Sequence, residues 1–399
     1  MTSCYKFLII YHHPKIKRII LIDKNIISHA HYFSSIEEVP SEIFKELGCE
    51  NNYYFSSAYL SALEKHNSQL QLSYVLLKDN EHKPVAFAVL KVVDFFLESV
   101  QNDMEAVIEW VKCMGRKLRL ISPEQAFKIV TCGNTFVSGE HGIFIKEDQN
   151  KHHLIKELAK AVVYYVNNNP RLKREVSAYM LKDFEKESLS ITDELLEYNY
   201  YAFNVEPNML LNLDESWVNF DDYLAAMRTK FRVKAKKALQ RSADLQCVVL
   251  QKDTVKKYLP QMKALYKNVS NNATFNLGEF NLDSYQDLLT QLPHDYIVRV
   301  YLLNHTVVGF LSGMMNHGHL DAHYVGIDYD LNREYAIYQR MLYDYINLAI
   351  DQKLKVVNFG RTASEIKSSV GAVPQDLTIY LRHKKTIPNK FLRHFLKKI

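Results

Sequence analysis

The feature that most constrains this chain is one structural phrase stated twice. In the first half the helical stretch "SSAYLSALEKH" precedes two apolar runs, "LSYVLLKDNEHKPVAFAVLKVVDFF", folded about Asp79-Asn80-Glu81-His82. In the second half the helical "NFDDYLAAMRTKFRVKAKKALQRS" and "TVKKYLPQMKALYKNVS" precede "YIVRVYLLNHTVVGFLSGMMNHGHLDAHYVGIDY". That segment is three β-rich runs with turns at Asn304-His305 and Asn316-His317-Gly318. A helix follows each meander, "HHLIKELAKAVVYYVNN" or "YAIYQRMLYDYINLAIDQ", and then a strand, "REVSAYMLKDF" or "KVVNFG". The repeated order predicts an α/β (α+β) chain of two units, each a mixed, largely antiparallel sheet flanked by helices. The acidic "ESLSITDELLEYN" gives way to "AFNVEPNMLLNL" near residues 190–206. We therefore expect a first unit over 1–200 and a second over 201–399, the latter ending in a basic C-terminal tail. One large unrepeated sheet is the alternative topology.

A chain of 399 residues, 47% hydrophobic, is long enough to bury a core in each unit. Its net charge of +5 is too small for a general nucleic-acid coat, so local basic clusters carry the argument. The cysteines at 4, 49, 113, 132 and 247 form no CxxC and no disulfide-like framework, which favours a reducing cytoplasm. The N-terminal "MTSCYKFLIIYHHPKIKRIILIDK" has apolar runs too short for a signal h-region, and no window of eighteen apolar residues occurs. The expectation is a cytoplasmic protein. The C-terminal "RHKKTIPNKFLRHFLKKI" offers either a frayed basic tail or a peripheral contact with an anionic membrane at its inner surface.

Three segments collect chemistry. In "VVNFGRTASEIKSSVGAVP" a buried-type strand stops at Gly360 and a loop of charge and hydroxyl follows. Arg361 can fork onto a carboxylate or phosphate, Lys367 offers a point charge, and Thr362, Ser368 and Ser369 can complete the shell. The segment Arg228–Arg241 holds seven basic residues and no acid. At helical spacing Lys230, Lys234, Lys237 and Arg241 share a face and Arg232 adds charge, a seat for a polyanion or a plain solvated face. In "NHGHLDAHY" the residues His319, Asp321 and His323 share a strand face, but neighbours about 6.8 Å apart do not converge on one ion, so no metal is expected.

A basic helix opening the second copy, with "FG…K…GA" after its last strand, makes the chain resemble the tandem GNAT-fold acyltransferases. It looks most like their Fem peptidyl transferase and peptidoglycan-biosynthesis-related branch. The resemblance covers about residues 40–385. It rests on the order of "YYFSSAYLSALE", "GNTFVSGEHGI", "YLAAMRTKFRVKAKKA", "VVGFLSG" and "NFGRTASEIKSSVGA". It implies an N-acyltransferase or aminoacyltransferase moving an acyl group from a thioester or ester to an amine, with no permanently bound cofactor. The donors it implies are an acyl-CoA, an acidic acyl-carrier protein or an aminoacyl-tRNA. One departure matters: the phosphate-binding place after the fourth strand reads "DYDLNREYAIYQRML", without a glycine, which argues against coenzyme A held in the usual way.

The same resemblance places the acceptor amine beside "HLDAHY". There Asp321 or His323 would accept a proton and Tyr324 would donate one to the leaving group. Lys367 would stabilise the tetrahedral oxyanion. The loop "GNTFVSGEHGIF", with Asn134, Glu140 and His141, would face the cleft between the units and touch the acceptor. The second unit is the catalytic one in this reading, and no covalent enzyme intermediate is expected. A non-catalytic GNAT-like module that binds an acidic partner is the alternative from another class. Monomer and dimer both stay open.

Overall fold

Fifteen strands, in two sheets, carry the described part of the chain, which in this computed structural model comprises residues 29–50, 52–95, 127–271 and 278–396. Cys4, Cys113 and the N-terminal segment weighed above as a leader lie outside it.

The first sheet runs β1 (Ala30–Phe33), β2 (Ser73–Lys78), β3 (Pro84–Phe95), β4 (Phe127–Cys132), β6 (Val176–Phe184), β15 (Thr378–His383), β7 (Tyr201–Asn204), with β5 (Ile143–Ile145) also on β3. The second runs β14 (Val373–Gln375), β8 (Asn208–Asn212), β13 (Val356–Asn358), β12 (His319–Ile327), β11 (Thr306–Asn316), β10 (Tyr296–Leu303), β9 (Gln246–Val249). Each sheet is antiparallel except for one parallel pair, β4 with β6 and β12 with β13. The hairpins expected at 304–305 and 316–318 form, and Asn304, His305, His317 and Gly318 all take positive φ, as tight reversals require.

The ten helices that matter here are α1 (Ser57–His66), α2 (Lys151–Asn168), α3 (Phe220–Ala226), α4 (Thr229–Arg241), α5 (Val255–Asn271), α6 (Ser284–Gln291), α7 (Tyr329–Tyr335), α8 (Ile337–Asp351), α9 (Ser364–Ser369) and α10 (Thr386–Leu396). Their apolar stripes sort them into layers. Leu158 and Val162 of α2 cover one face of the first sheet against Val75, Ala88 and Leu90. Ala235 of α4 and Tyr345 and Ile346 of α8 cover the outer face of the second sheet against Leu211 and Leu320. Between the sheets, Tyr59 and Leu63 of α1, Met262 of α5 and Leu288 of α6 join Phe87 and Val89 from one sheet and Val298 and Phe310 from the other. The two units therefore share this central core, while each keeps a second one under its outer helices. At Gly309 any Cβ would come 2.8 Å from Ile337 and closer still to Met341, so the glycine lets α8 lie directly on the sheet.

Three expectations need correction. The sheets do not divide the chain at one cut near residue 200: β7, just beyond it, and β15, near the end, both belong to the first sheet. The basic tail is not frayed, because Thr378–His383 inserts between β6 and β7 with Thr378, Ile379 and Tyr380 buried, and α10 follows it. The long basic helix is broken, since Met227 is extended (φ −65°, ψ 144°) between α3 and α4. The break leaves helix-end carbonyls unpaired, and Arg232 folds back to donate to those of Ala225 (3.0 Å) and Met227 (3.4 Å). Among the described residues no helix is long and apolar enough to cross a membrane.

Candidate active site

The site is built on an irregularity in β12. Leu311 pairs with Val325 and Gly313 with Ala322, so Ser312 alone stands opposite both His323 and Tyr324. This is a β-bulge, and it brings Tyr324 to the inner face that His323 already occupies. The Ser312 hydroxyl donates to the Tyr324 carbonyl and accepts its N–H, both at 3.1 Å, so the backbone groups freed by the bulge are satisfied. Simple alternation along "HLDAHY" does not reveal this. The signal was the unusual Ser-Gly of "FLSGMM" opposite it.

Beside the bulge β12 loses its parallel neighbour. Only His319–Asp321 pair with Val356–Asn358, and β12 then runs on to Ile327 paired with β11 alone. At the last paired position Asp321, 2% exposed, accepts from the Asn358 amide at 2.9 Å and from the Tyr54 hydroxyl at 2.8 Å. Tyr54 comes from the first unit, on a turn whose N–H groups Asn52 and Asn316 hold. Its oxygen is also 3.0 Å from His323 Nε2. Since the phenol gives its one proton to Asp321, it must accept from His323, which fixes the imidazole with Nε2 protonated and Nδ1 as the basic nitrogen. Nδ1 lies 3.3 Å from the Tyr296 hydroxyl. Sequence reasoning named Asp321 and His323 but missed the Tyr54 that joins them.

The electrostatics separate these groups. Burial raises the Asp321 carboxyl above its ordinary value, against the pull of Tyr54 and Asn358. Burial, and then the like charge of His141, lower His323 to about 3, so its ring is neutral at physiological pH. His141, its ring 4.1 Å from that of Tyr54, is likewise lowered to about 3, mainly by burial. Tyr324 sits among Phe280, Tyr266 and Phe136 with centroids at 4.8, 5.3 and 6.3 Å. Burial and neighbouring tyrosines hold its phenol well above the usual range. Such a phenol keeps its proton, so it suits hydrogen bonding better than the acid role expected for it.

The glycine-containing loop 133–144 does reach this place. The Ser138 carbonyl accepts from Asn358 at 3.2 Å. The loop doubles back so tightly that a Cβ on Gly142 would overlap the Gly133 backbone. Asn134 and Glu140 hold the loop rather than face the cleft: Asn134 donates to Tyr59 (3.2 Å), and Glu140 accepts the Glu185 N–H (2.7 Å).

The loop after Gly360 behaves differently from its sequence reading. The Arg361 guanidinium donates to Asp183 of the first unit at 2.6 Å and to the Glu206 carbonyl at 3.0 Å. Its fork meets a carboxylate of this chain, not one of a ligand. Asp183 is fully buried and also pairs with Lys182, which in turn donates to the Asn134 carbonyl. Lys367 is 3% exposed and points to the carbonyls of Gly360 (3.2 Å) and Arg361 (2.7 Å), and burial lowers its ammonium to about 7. It shapes the loop from inside and is not aimed at an oxyanion. Ser369 donates to the Ile366 carbonyl at 2.6 Å, while Thr362 and Ser368 are exposed. Lys230, Lys234 and Lys237 do lie together and exposed along α4; Arg232, on the α3 carbonyls, is not with them. Among the described residues no group of His, Cys, Asp and Glu is placed to hold a metal ion.

Residues 225–368 match a family described as acetyltransferase (GNAT) domain. Three solved structures share the fold across both units. FemX is 10% identical with a TM-score of 0.52, covering 86% of this chain and 96% of that one. The L-PGS of Bacillus licheniformis is 10% identical at 0.50, covering 90% and 96%. A tandem GNAT protein from the clavulanic acid biosynthesis pathway is 8% identical at 0.50, covering 89% and 98%. No curated protein matches the chain in sequence. The domain match bears out the reading of a GNAT-type acyltransferase, and the shared folds bear out its tandem, mixed-sheet architecture.

Proposed function

We propose that the chain, with a GNAT acetyltransferase domain as its second unit, transfers an acyl or aminoacyl group to an amine at the bulge of β12. One observation carries this reading. Where β12 and β13 part, Asp321, His323 and Tyr324 converge on one inner face, and Tyr54 joins the first two. The amine attacks the donor carbonyl directly, and the sulfur or oxygen of the donor leaves with the bonding pair, taking a proton from solvent in place of the one the amine gives up. His323 Nδ1 takes the amine proton as Nε2–H passes its own to Tyr54 and Tyr54 passes its own to Asp321, whose raised pKa suits it to receive a proton. Asp321 thus serves as the terminal base and His323 as the carrier. Tyr324 orients the reacting carbonyl.

The donor is larger than coenzyme A alone. The segment after Ile327 is filled: α7 occupies it, Ala336 is buried, and the Asn332 side chain takes the Tyr338 N–H at 2.9 Å. Free backbone amides for a pyrophosphate are accordingly few there. Lys230, Lys234 and Lys237 favour an acidic carrier protein or a charged tRNA over a bare cofactor. Where α10 exposes 71% of Ile387 beside Lys384, Lys385 and Lys390, contact with an anionic membrane surface fits, and vesicles with and without anionic lipid test it.

Incubation with labelled acyl-CoA, acyl-carrier protein and charged tRNA, in a mixture of amines, tests the reading. Transfer by the wild type that Asp321→Asn suppresses is the expected result. Tight polyanion binding with no transfer from any donor would favour the non-catalytic module.

A further inference from the structure

The break between α3 and α4 opens a cavity of about 440 Å³ that the transfer reaction does not use. It lies by β8 and β14, at the edge of the second sheet, with β13 between β8 and β12. Its wall is aromatic and apolar, from Trp217, Tyr223, Met227 and Phe231. The Tyr223 hydroxyl is already spent on the Val370 carbonyl at 2.9 Å, so that wall presents only ring surface. The rim is different. Arg228, exposed at the break, has no acidic partner among the described residues, and the exposed Ser368 stands across from it on α9.

We propose that this cavity binds an amphipathic anion, with an alkyl or aryl tail among the four apolar side chains and a carboxylate or phosphate on Arg228 and Ser368. The volume fits a single chain of about a dozen carbons, within the range of ordinary ligand pockets. A guanidinium supplies the paired donors that either head group accepts. The hydroxyl expected at 368 to serve the reaction serves this second site instead.

Calorimetry on the full chain with dodecanoate, dodecyl phosphate and dodecanol, each below its micelle-forming concentration, tests the assignment. One saturable equivalent of each anion is expected, with dodecanol bound more weakly. Arg228→Gln should weaken both anions by about tenfold and leave dodecanol within about twofold. Ala226→Trp, which fills the cavity from an exposed position, should remove all three with Tm unchanged. A preference between carboxylate and phosphate identifies which head group the rim suits. Unsaturable binding, dodecanol as tight as dodecanoate, or anion binding untouched by Arg228→Gln would overturn the proposal.

Discussion

Each sheet has one parallel strand pair, and the two pairs part in different ways. In the first sheet β4 and β6 stay paired from Lys128–Val176 to Cys132–Leu181. Just beyond, the Lys182 stem lies where any side chain on Gly133 would have to go, and Asp183 and Arg361 close the gap with charge. In the second sheet the pairing lasts three residues, and β12 then bulges past the opening with His323 and Tyr324 on it. One fork is plugged and the other is left for chemistry. On the proposed reading, a repeated fold keeps its reaction site in one copy and uses the corresponding place in the other as an inter-unit clasp.

Asp321→Asn should break the comparison hardest. Asparagine keeps the hydrogen-bonding shape but cannot receive the relayed proton, so kcat should fall by about a hundredfold or more with KM little changed. Tyr54→Phe should follow it in the same direction, because the relay loses its middle member. Retained turnover in both variants would move the chemistry away from the β12 fork.

Next in size is the clasp. Arg361→Met leaves Asp183 buried with one cation in place of two, and breaking a buried ion pair costs about 3 kcal/mol. Denaturant unfolding should report that loss, while kcat in the folded fraction stays near wild type. A normal midpoint with a raised KM would return Arg361 to the substrate, as its sequence context suggested.

That case shows what was legible in the sequence. The two units were, because strands and amphipathic helices write their periods locally, and so was the cluster at Asp321 and His323 on one strand. Arg361 was misread because a guanidinium treats Asp183, 178 residues away, as it would a ligand carboxylate. Tyr54 was missed for the same reason, being 267 residues from Asp321. The bulge escaped because it depends on Ser312 facing two residues at once, a fact of pairing and not of pattern. Strand β15 was hidden by the basic residues after it, although Thr378, Ile379 and Tyr380 already read as strand.

A smaller effect sharpens the contrast through pH. Lys91 of β3 is 1% exposed, with Thr135 as its hydrogen-bond partner at 3.0 Å, and burial and then Lys182 lower its pKa to about 7. Lys367 is lowered to the same value. Between pH 7 and the unfolded value near 10.5 the unfolded chain binds more protons at both, so these two lysines should make stability rise with pH over that window. Lys91→Met should raise Tm by a few degrees at pH 7 and flatten the rise. A Tm that falls on this substitution would mean that the ammonium's contacts with Thr135 and with the Phe136 ring, 4.4 Å away, outweigh the cost of its burial. His323 and His141 act in the acid range. Both are held near 3 in the fold against 6.5 unfolded, so stability should be lost as pH falls from 6.5 toward 3.

The smallest expected effect on the fold belongs to the basic face of α4. Lys230, Lys234 and Lys237 are exposed and make no ion pair among the described residues, so replacing all three with Gln should change stability by less than about 0.5 kcal/mol. Their proposed partner is a polyanion, and a face that binds one releases counterions in proportion to the contacts made. The triple variant should therefore weaken an acidic carrier protein or charged tRNA and flatten the dependence of that binding on salt. The order of loss matters as much as its size. If Asp321→Asn stops transfer without touching donor affinity, and the lysine variant raises donor KM without touching kcat, seat and fork are separate parts of one catalyst. If the lysine variant instead lowers the melting temperature and leaves donor KM unchanged, α4 is a structural brace for α8 and the donor must be held elsewhere along the fork.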